Sequence, residues 1–169
     1  MPKPLAEEHP SYFSKYINLV DANSVAEAVT IYAPLLQKFY SSLPEEKAGY
    51  AYAPGKWTIK DLLQHVIDTE RIFSYRVVRI ARKDKTPLAS FDENSYAANA
   101  AAGNRTLASL VEEFLAVRKS TDLLLNSLSE AQLAETGVAS NMPVTANAIG
   151  FIIFGHLLHH KQVLEERYL

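Results

Sequence analysis

The chain contains no cysteine among its 169 residues. This absence excludes disulfide-stabilised folds, zinc sites with cysteine ligands, iron–sulfur clusters and a cysteine nucleophile. Any metal site must therefore use His, Asp or Glu side chains. Histidine is scarce too, but three of its five copies fall within five residues of one another near the C-terminus. The full set is His9, His65, His156, His159 and His160.

The chain also lacks an excess of charge of either sign, with 17 Lys+Arg against 19 Asp+Glu and a net charge of −2. This balance gives no global electrostatic reason to bind nucleic acid or an anionic membrane. The one basic run, residues 71–85, suits the C-terminal end of a helix, where the helix dipole favours cations. We therefore expect no nucleic-acid partner.

Long hydrophobic runs are absent as well. The most apolar stretch, residues 148–154, is far shorter than the roughly 20 residues that span a bilayer, and the first residues lack the apolar core of a secretory signal. We expect no membrane segment and a cytoplasmic protein. At 48% hydrophobic residues, the chain can bury a substantial core, and its length favours a single domain over residues 1–169.

Apolar residues recur at helical spacing in four long segments, and no window alternates with the period of a strand. The pattern predicts an all-α four-helix bundle. Residues 1–23 are interpreted as an extended arm over the surface, and residues 43–57, 84–105 and 135–144 as loops. The stretch 90–103 is expected to hold a short helical turn within its loop.

Capping residues mark where the four helices begin. The first covers residues 24–42, where Pro34 argues for a kink or a later start. In the second, which ends near residues 82–83, Asp61 stands at the capping-box position. The last ends near residue 168. The expected N-caps are Ser24, Thr58, Thr106 and Thr145.

Two histidines lie in the centre of the apolar stripe of the last helix. His156 and His160 are four residues apart, so their imidazoles share one face of the helix and can bind one metal ion. The alternative is a pair of core histidines satisfied by hydrogen bonds. A zinc-protease motif is excluded because Leu157 replaces the required Glu. A di-iron carboxylate site is excluded because no Glu is followed three residues later by His.

His65 is the candidate for a third ligand. It lies near the edge of the apolar stripe of the second helix, where a side chain either reaches solvent or faces the seam with a neighbouring helix. Three histidines from two helices would leave an open coordination position, which is typical of catalytic metal sites. His9 lies in the arm and is given no role.

The stretch from Trp57 through His65 to Arg71 resembles the second-helix signature of the DinB-like (DinB/YfiT) superfamily of metal-dependent enzymes. Residues 91–94 and the C-terminal segment 155–169 are also similar to that family. The resemblance covers about residues 24–169. Its specificity comes from the Trp-to-His spacing combined with the C-terminal His-x-x-x-His.

The resemblance implies an up-down-down-up four-helix bundle, often dimeric, that binds a divalent metal, zinc or nickel, through His65, His156 and His160. His159 would be a neighbour of the site. The resemblance also implies a small-molecule substrate, and characterised relatives use a low-molecular-weight thiol cosubstrate. Since the chain has no cysteine, such a thiol would have to come from outside.

Two chemistries therefore stay open, hydrolysis and thiol transfer, and so does a non-catalytic alternative, a metal- or ligand-binding or dimerisation bundle. Three acidic residues near the expected site also have two interpretations each. Asp61 either caps its helix, which we favour, or orients His65. Asp92 and Glu93 either lie in a solvated loop, which we favour, or line a pocket.

Overall fold

A computed structural model describes residues 1–169. Seven α-helices and two short strands make up most of the chain, and single 3-10 turns precede or connect them. In chain order these are α1 (Ser14–Ile17), α2 (Val25–Ser41), α3 (Ile59–Ala81), α4 (Glu93–Ala100), α5 (Leu107–Ser127), α6 (Glu130–Leu133), β1 (Thr136–Ala139), β2 (Met142–Thr145) and α7 (Ala146–Arg167); the 3-10 turns are Ala6–Glu8, Ser11–Phe13, Glu45–Lys47 and Ala102–Asn104.

The four long helices α2, α3, α5 and α7 form the predicted bundle. Helix α2 packs on α5 and α7, and α3 packs on the same two helices, so α2 and α3 lie diagonally opposite. The buried side chains of all four helices join in one hydrophobic cluster. No helix combines the length and the hydrophobicity that a membrane-spanning helix requires.

Contacts between helices fix their directions. Along α3 and α5, Arg71 pairs with Glu113 and Ser74 bonds to Thr121, so these helices run in parallel. Tyr168, at the C-terminal end of α7, bonds to the segment before α3. Phe73, in the C-terminal half of α3, packs on His156, which lies earlier in α7. These two helices are therefore antiparallel.

Helix α2 runs parallel to α7, since Tyr32 packs on Phe154 and Tyr40 donates to the carbonyl of Leu157. With α2 and α7 in one direction and α3 and α5 in the other, the order along the chain is up-down-down-up. This is the topology that the family resemblance implied, and the all-α four-helix prediction is confirmed.

Each predicted cap accepts a hydrogen bond from the backbone N–H three residues later. Such caps satisfy N–H groups that the first turn leaves without partners. The suggestion of a later start at Pro34 is wrong, because α2 begins at Val25 and continues through the proline. Pro34 is exposed, so the backbone carbonyl that loses its partner there can bond to water.

Two expectations are corrected by the structure. Residues 1–23 are not an extended surface arm. They contain two 3-10 turns and α1, they pack against α7, and they bury Tyr16, Ile17 and Val20. The expectation of no strand is also wrong, because residues 136–145 form an antiparallel hairpin in which Thr136 pairs with Thr145.

Candidate metal centre

The three candidate ligands His65, His156 and His160 converge between α3 and α7. The distance from His156 Nε2 is 3.1 Å to His65 Nε2 and 3.1 Å to His160 Nε2. One ligand atom from each residue lies within 4.8 Å of the others, and no further His, Asp or Glu joins the group. The antiparallel packing of α3 on α7 brings these residues together although His65 and His156 are 91 positions apart.

The start of α3 is fixed by a complete capping box. Asp61 Oδ2 accepts from the backbone N–H of Thr58 at 3.0 Å and from its hydroxyl at 2.7 Å, and the Asp61 N–H donates back to Thr58. Asp61 therefore belongs to the capping box, the interpretation we favoured. The polar neighbour of His65 is instead Thr69, whose hydroxyl lies 3.4 Å from His65 Nδ1.

Aromatic rings hold the imidazoles in place. Trp57 packs on His65 with ring centroids 4.7 Å apart. Tyr16, from the N-terminal segment, packs edge-on against His156 at 5.7 Å and against His159 at 5.4 Å. Because these two rings come from separate parts of the chain, the orientation of the cluster depends on the tertiary structure.

Burial keeps the three imidazoles neutral. It lowers the pKa of His65 to about 4, an effect that the negative charge of Glu93 partly opposes. Burial also lowers the pKa of His156 and of His160 well below the usual value, and repulsion from the neighbouring histidines adds to the effect. Neutral imidazole is the form that binds metals.

The cluster is poorly satisfied by hydrogen bonds alone. Each Nε2 carries either one hydrogen or one lone pair. The Nε2 of His156 therefore cannot make well-aligned hydrogen bonds to both of its neighbours. The Nδ1 of His160 is buried and has no hydrogen-bond partner. Protein hydrogen bonds therefore leave nitrogens of the cluster unsatisfied, which disfavours the alternative of core histidines that the sequence left open.

The histidines lie in the wall of a cavity of about 260 Å³. Its other walls are mostly aromatic, with Arg76, Glu93, Thr69 and Ser140 as the polar members. A second cavity of about 310 Å³ adjoins the cluster. Trp57 and His160 line both cavities, so the histidine cluster can be approached from two sides.

The remaining residues of interest are distributed as follows. His159 is a neighbour outside the converging group, and His9 lies elsewhere, with its Nδ1 3.0 Å from the carbonyl of Pro10. Asp92 caps α4 by accepting from Ser95 N–H. Glu93 is exposed to solvent and also lines the first cavity, so for this residue the pocket interpretation is correct.

Sequence reasoning missed the contribution of the N-terminal segment, whose Tyr12, Phe13 and Tyr16 line the first cavity. It also missed Arg76 and Ser140, which reach that cavity from α3 and from the hairpin turn. No short-range pattern connects these segments. The only available signal was the clustering of aromatic residues at positions 12–16.

Comparisons with known proteins agree with this architecture. YfiT from Bacillus subtilis, described as a probable metal-dependent hydrolase with an unusual four-helix bundle topology, has a TM-score of 0.69 and 18% identity, covering 97% of this chain and 90% of that one. A mycothiol-dependent maleylpyruvate isomerase has a TM-score of 0.66 and 13% identity, covering 89% of this chain but only 59% of that one. No curated protein sequence matches significantly.

At these identities the solved structures establish a shared fold. Family membership rests on a separate observation, a match of the family model for the DinB superfamily to residues 33–164. The match extends from the middle of α2 to near the end of α7 and includes all three converging histidines. The chain therefore belongs to the DinB superfamily.

Proposed function

We propose that this protein is a metal-dependent enzyme acting on a small molecule, and that His65, His156 and His160 bind a divalent metal through their Nε2 atoms. The observation that carries the proposal is the convergence of three neutral imidazoles in a cavity wall with no fourth ligand-type side chain. Three protein ligands leave a coordination position for water or substrate, which is the pattern of a catalytic site.

The geometry of the donors fits such an ion. Two nitrogens bound to one tetrahedral zinc at about 2.0–2.1 Å lie about 3.3 Å apart, close to the 3.1 Å separations from His156 Nε2. A cation would also accept the lone pairs that hydrogen bonds within the cluster leave unused. Imidazole suits zinc and nickel alike, and both remain the expected metals.

When bound, a metal with these ligands supplies a Lewis acid that lowers the pKa of a water molecule or a thiol toward neutrality. The chain's own groups prepare the site for it. If Nε2 of His65 held the metal, the ring hydrogen would lie on Nδ1, where it could donate a hydrogen bond to the Thr69 hydroxyl. Trp57 packs on the imidazole of His65, and Tyr16 packs on that of His156.

Hydrolysis of a small molecule is the first candidate reaction. Its support is the likeness to YfiT, which covers nearly the whole of both chains. Group transfer from a low-molecular-weight thiol is the second candidate, and a specific observation favours it. The two cavities that meet at Trp57 and His160 would allow a thiol and an electrophile to reach the cluster from different sides.

The non-catalytic alternative is a bundle that only binds a metal or ligand or mediates dimerisation. A purely structural metal site would be closed by a fourth protein ligand. The accessible cavity beside the cluster favours an enzyme instead. A homodimer, a small-molecule substrate and a cytoplasmic location remain parts of the proposal.

Metal content provides the first test. We expect about one zinc or nickel ion per chain in the purified protein, measured by mass spectrometry of the metals. The variants H65A and H160A should lose the metal, because each keeps only two of the three imidazole ligands. The matched control H159A removes a histidine of the same helix outside the cluster and should keep the metal. Stoichiometric metal that survives both H65A and H160A would overturn the site.

A second experiment separates the two reactions. Metal-loaded protein would be assayed for hydrolysis of p-nitrophenyl acetate, and for conjugation of 1-chloro-2,4-dinitrobenzene with and without N-acetylcysteine. A rate that needs the thiol supports transfer, and a rate without it supports hydrolysis. Either activity should disappear in H160A. Activity that persists equally in metal-free protein would contradict a metal-dependent enzyme.

A further inference from the structure

Arg76 is a buried cation without a carboxylate partner. It lies on α3 with 5% of its surface exposed and lines the same cavity as the three histidines. Its Nη2 donates to the carbonyl of Ala89 at 2.7 Å and to the hydroxyl of Ser140 at 3.2 Å. These contacts hold the guanidinium in position without neutralising it.

The remaining donors of Arg76 are free. No carboxylate lies within 4.0 Å of the guanidinium, and its Nε and Nη1 have no acceptor in the protein. The other buried arginine of the bundle, Arg118, lies beside two carboxylates, since it contacts Glu70 at 3.0 Å and Asp122 at 2.8 Å. A buried charge is costly unless it is paired. An anion that enters the cavity would pair with the charge of Arg76 through these free donors.

The surroundings of Arg76 restrict the kind of anion. Its Cζ lies 5.7 Å from the Phe73 ring centre and 6.0 Å from the Phe91 ring centre. Phe73 also packs on His156 at 6.2 Å, so this ring adjoins both the cation and the histidine cluster. The cavity thus offers apolar aromatic walls, one cation and the three imidazoles.

Without a metal, a single negative charge fits this cavity better than a double one. Arg76 is the only cation among its lining residues, and the carboxylate of Glu93 is also part of the lining. A phosphate dianion would leave one charge unpaired and would be repelled by Glu93. The volume of about 260 Å³ is near the lower end of ligand cavities, which are about 300–1,000 Å³, and therefore suits a small molecule.

We propose that Arg76 binds the carboxylate of the substrate, and that the substrate is a small monocarboxylate with an aromatic or similarly apolar body. The free Nε and Nη1 donate charge-assisted hydrogen bonds to the carboxylate, and the rings of Phe73 and Phe91 contact the apolar part. Only the identification of this ligand as the substrate rests on the proposed function. The binding itself requires no metal.

The test uses metal-free protein, so that the carboxylate cannot bind a metal. Binding of 3-phenylpropionate and of its uncharged analogue 3-phenylpropionamide is followed by the fluorescence of Trp57, the chain's single tryptophan, which lines the cavity. We expect saturable binding of the acid at least tenfold tighter than of the amide. R76Q should bind the acid at least tenfold more weakly, with binding of the amide unchanged.

Two variants control for charge and folding. R82Q removes a cation from the exposed end of the same helix and should bind the acid like the wild type. R76K keeps the charge and should recover part of the affinity. If R76Q does not fold, as judged by circular dichroism, the preference of the wild type for acid over amide still tests the proposal.

Four outcomes would overturn the proposal. These are no saturable binding of phenylpropionate to the wild type, equal affinity for acid and amide, unchanged binding of the acid in a folded R76Q, and tighter binding of benzyl phosphate than of phenylpropionate. Because the measurement is made without metal, failure of the histidine site leaves its result unaffected. Loss of metal binding in H65A and H160A is likewise independent of Arg76.

Discussion

Replacement of Gly155 by Ala should displace the N-terminal segment from α7. A Cβ at this position would lie 2.1 Å from the carbonyl oxygen of Tyr16 and 2.4 Å from its carbonyl carbon. Real Cβ contacts are essentially never shorter than 3.0 Å, so the two backbones must separate by about 1 Å. Neither can yield cheaply, because Gly155 is inside α7 and Tyr16 is inside α1.

The expected loss of stability follows from this clash. Overpacking of a well-filled interior costs about 1–3 kcal/mol. If the segment detaches instead, the buried side chains Ile17 and Val20 are exposed, at about 1.5–3 kcal/mol for each. We therefore expect G155A to lower the free energy of unfolding by about 1–3 kcal/mol or more, and the melting temperature by several degrees.

Three measurements check the consequence for the site. Urea denaturation gives the free energy of unfolding, limited proteolysis reports detachment of residues 1–23, and competition with a chelator gives the metal affinity. Because Tyr16 packs on His156, the affinity for the proposed metal should fall together with the stability. The matched control is G49A, since a Cβ at Gly49 meets nothing within 4 Å. If G155A is as stable as G49A, the close packing of the N-terminal segment on α7 is refuted.

Three further predictions concern buried polar groups. Burial lowers the pKa of His65 to about 4, against 6.5 in the unfolded chain, so the folded state binds fewer protons between these values. Metal-free protein should therefore lose about 2 kcal/mol of folding stability from this residue between pH 7.5 and 5. Urea denaturation should show this loss in the wild type and not in H65Q. T69V should weaken metal binding about tenfold by removing the hydroxyl beside His65 Nδ1, and chelator competition within twofold of the wild type would contradict this. R118M should lower the free energy of unfolding, measured by heat or urea, by about 3–5 kcal/mol, because Glu70 and Asp122 are left buried without a cation. Adding E70Q/D122N to R118M should restore part of this stability. A loss under about 1 kcal/mol in R118M would refute the pairing.

The positions of the long helices could be predicted because their signals are local. Ser24, Thr58, Thr106 and Thr145 each bond to a backbone N–H three residues later, an interaction fixed by neighbouring residues alone. The order of these helices in the bundle is not a local property. Their apolar faces are compatible with several arrangements, and the up-down-down-up topology was expected only from the family resemblance.

The hairpin and the N-terminal segment could not be predicted for related reasons. Each strand has four residues, too few to show a period of two. The turn places Ser140 and Asn141 at positive φ, without the glycine that usually signals such a turn. The N-terminal segment carries no helical stripe, and its burial depends on the groove that Gly155 opens on α7.

By itself, the sequence determined the helices, the exclusion of cysteine chemistry and the pairing of His156 with His160, because each of these depends on composition or on spacing within one helix. Only the tertiary structure decided that His65 completes the cluster, that Tyr16 and Trp57 pack on it, and that Arg76 faces the same cavity. The physical reason is that these groups belong to segments far apart in the chain, and the packing of α1, α3 and α7 determines which of their side chains meet.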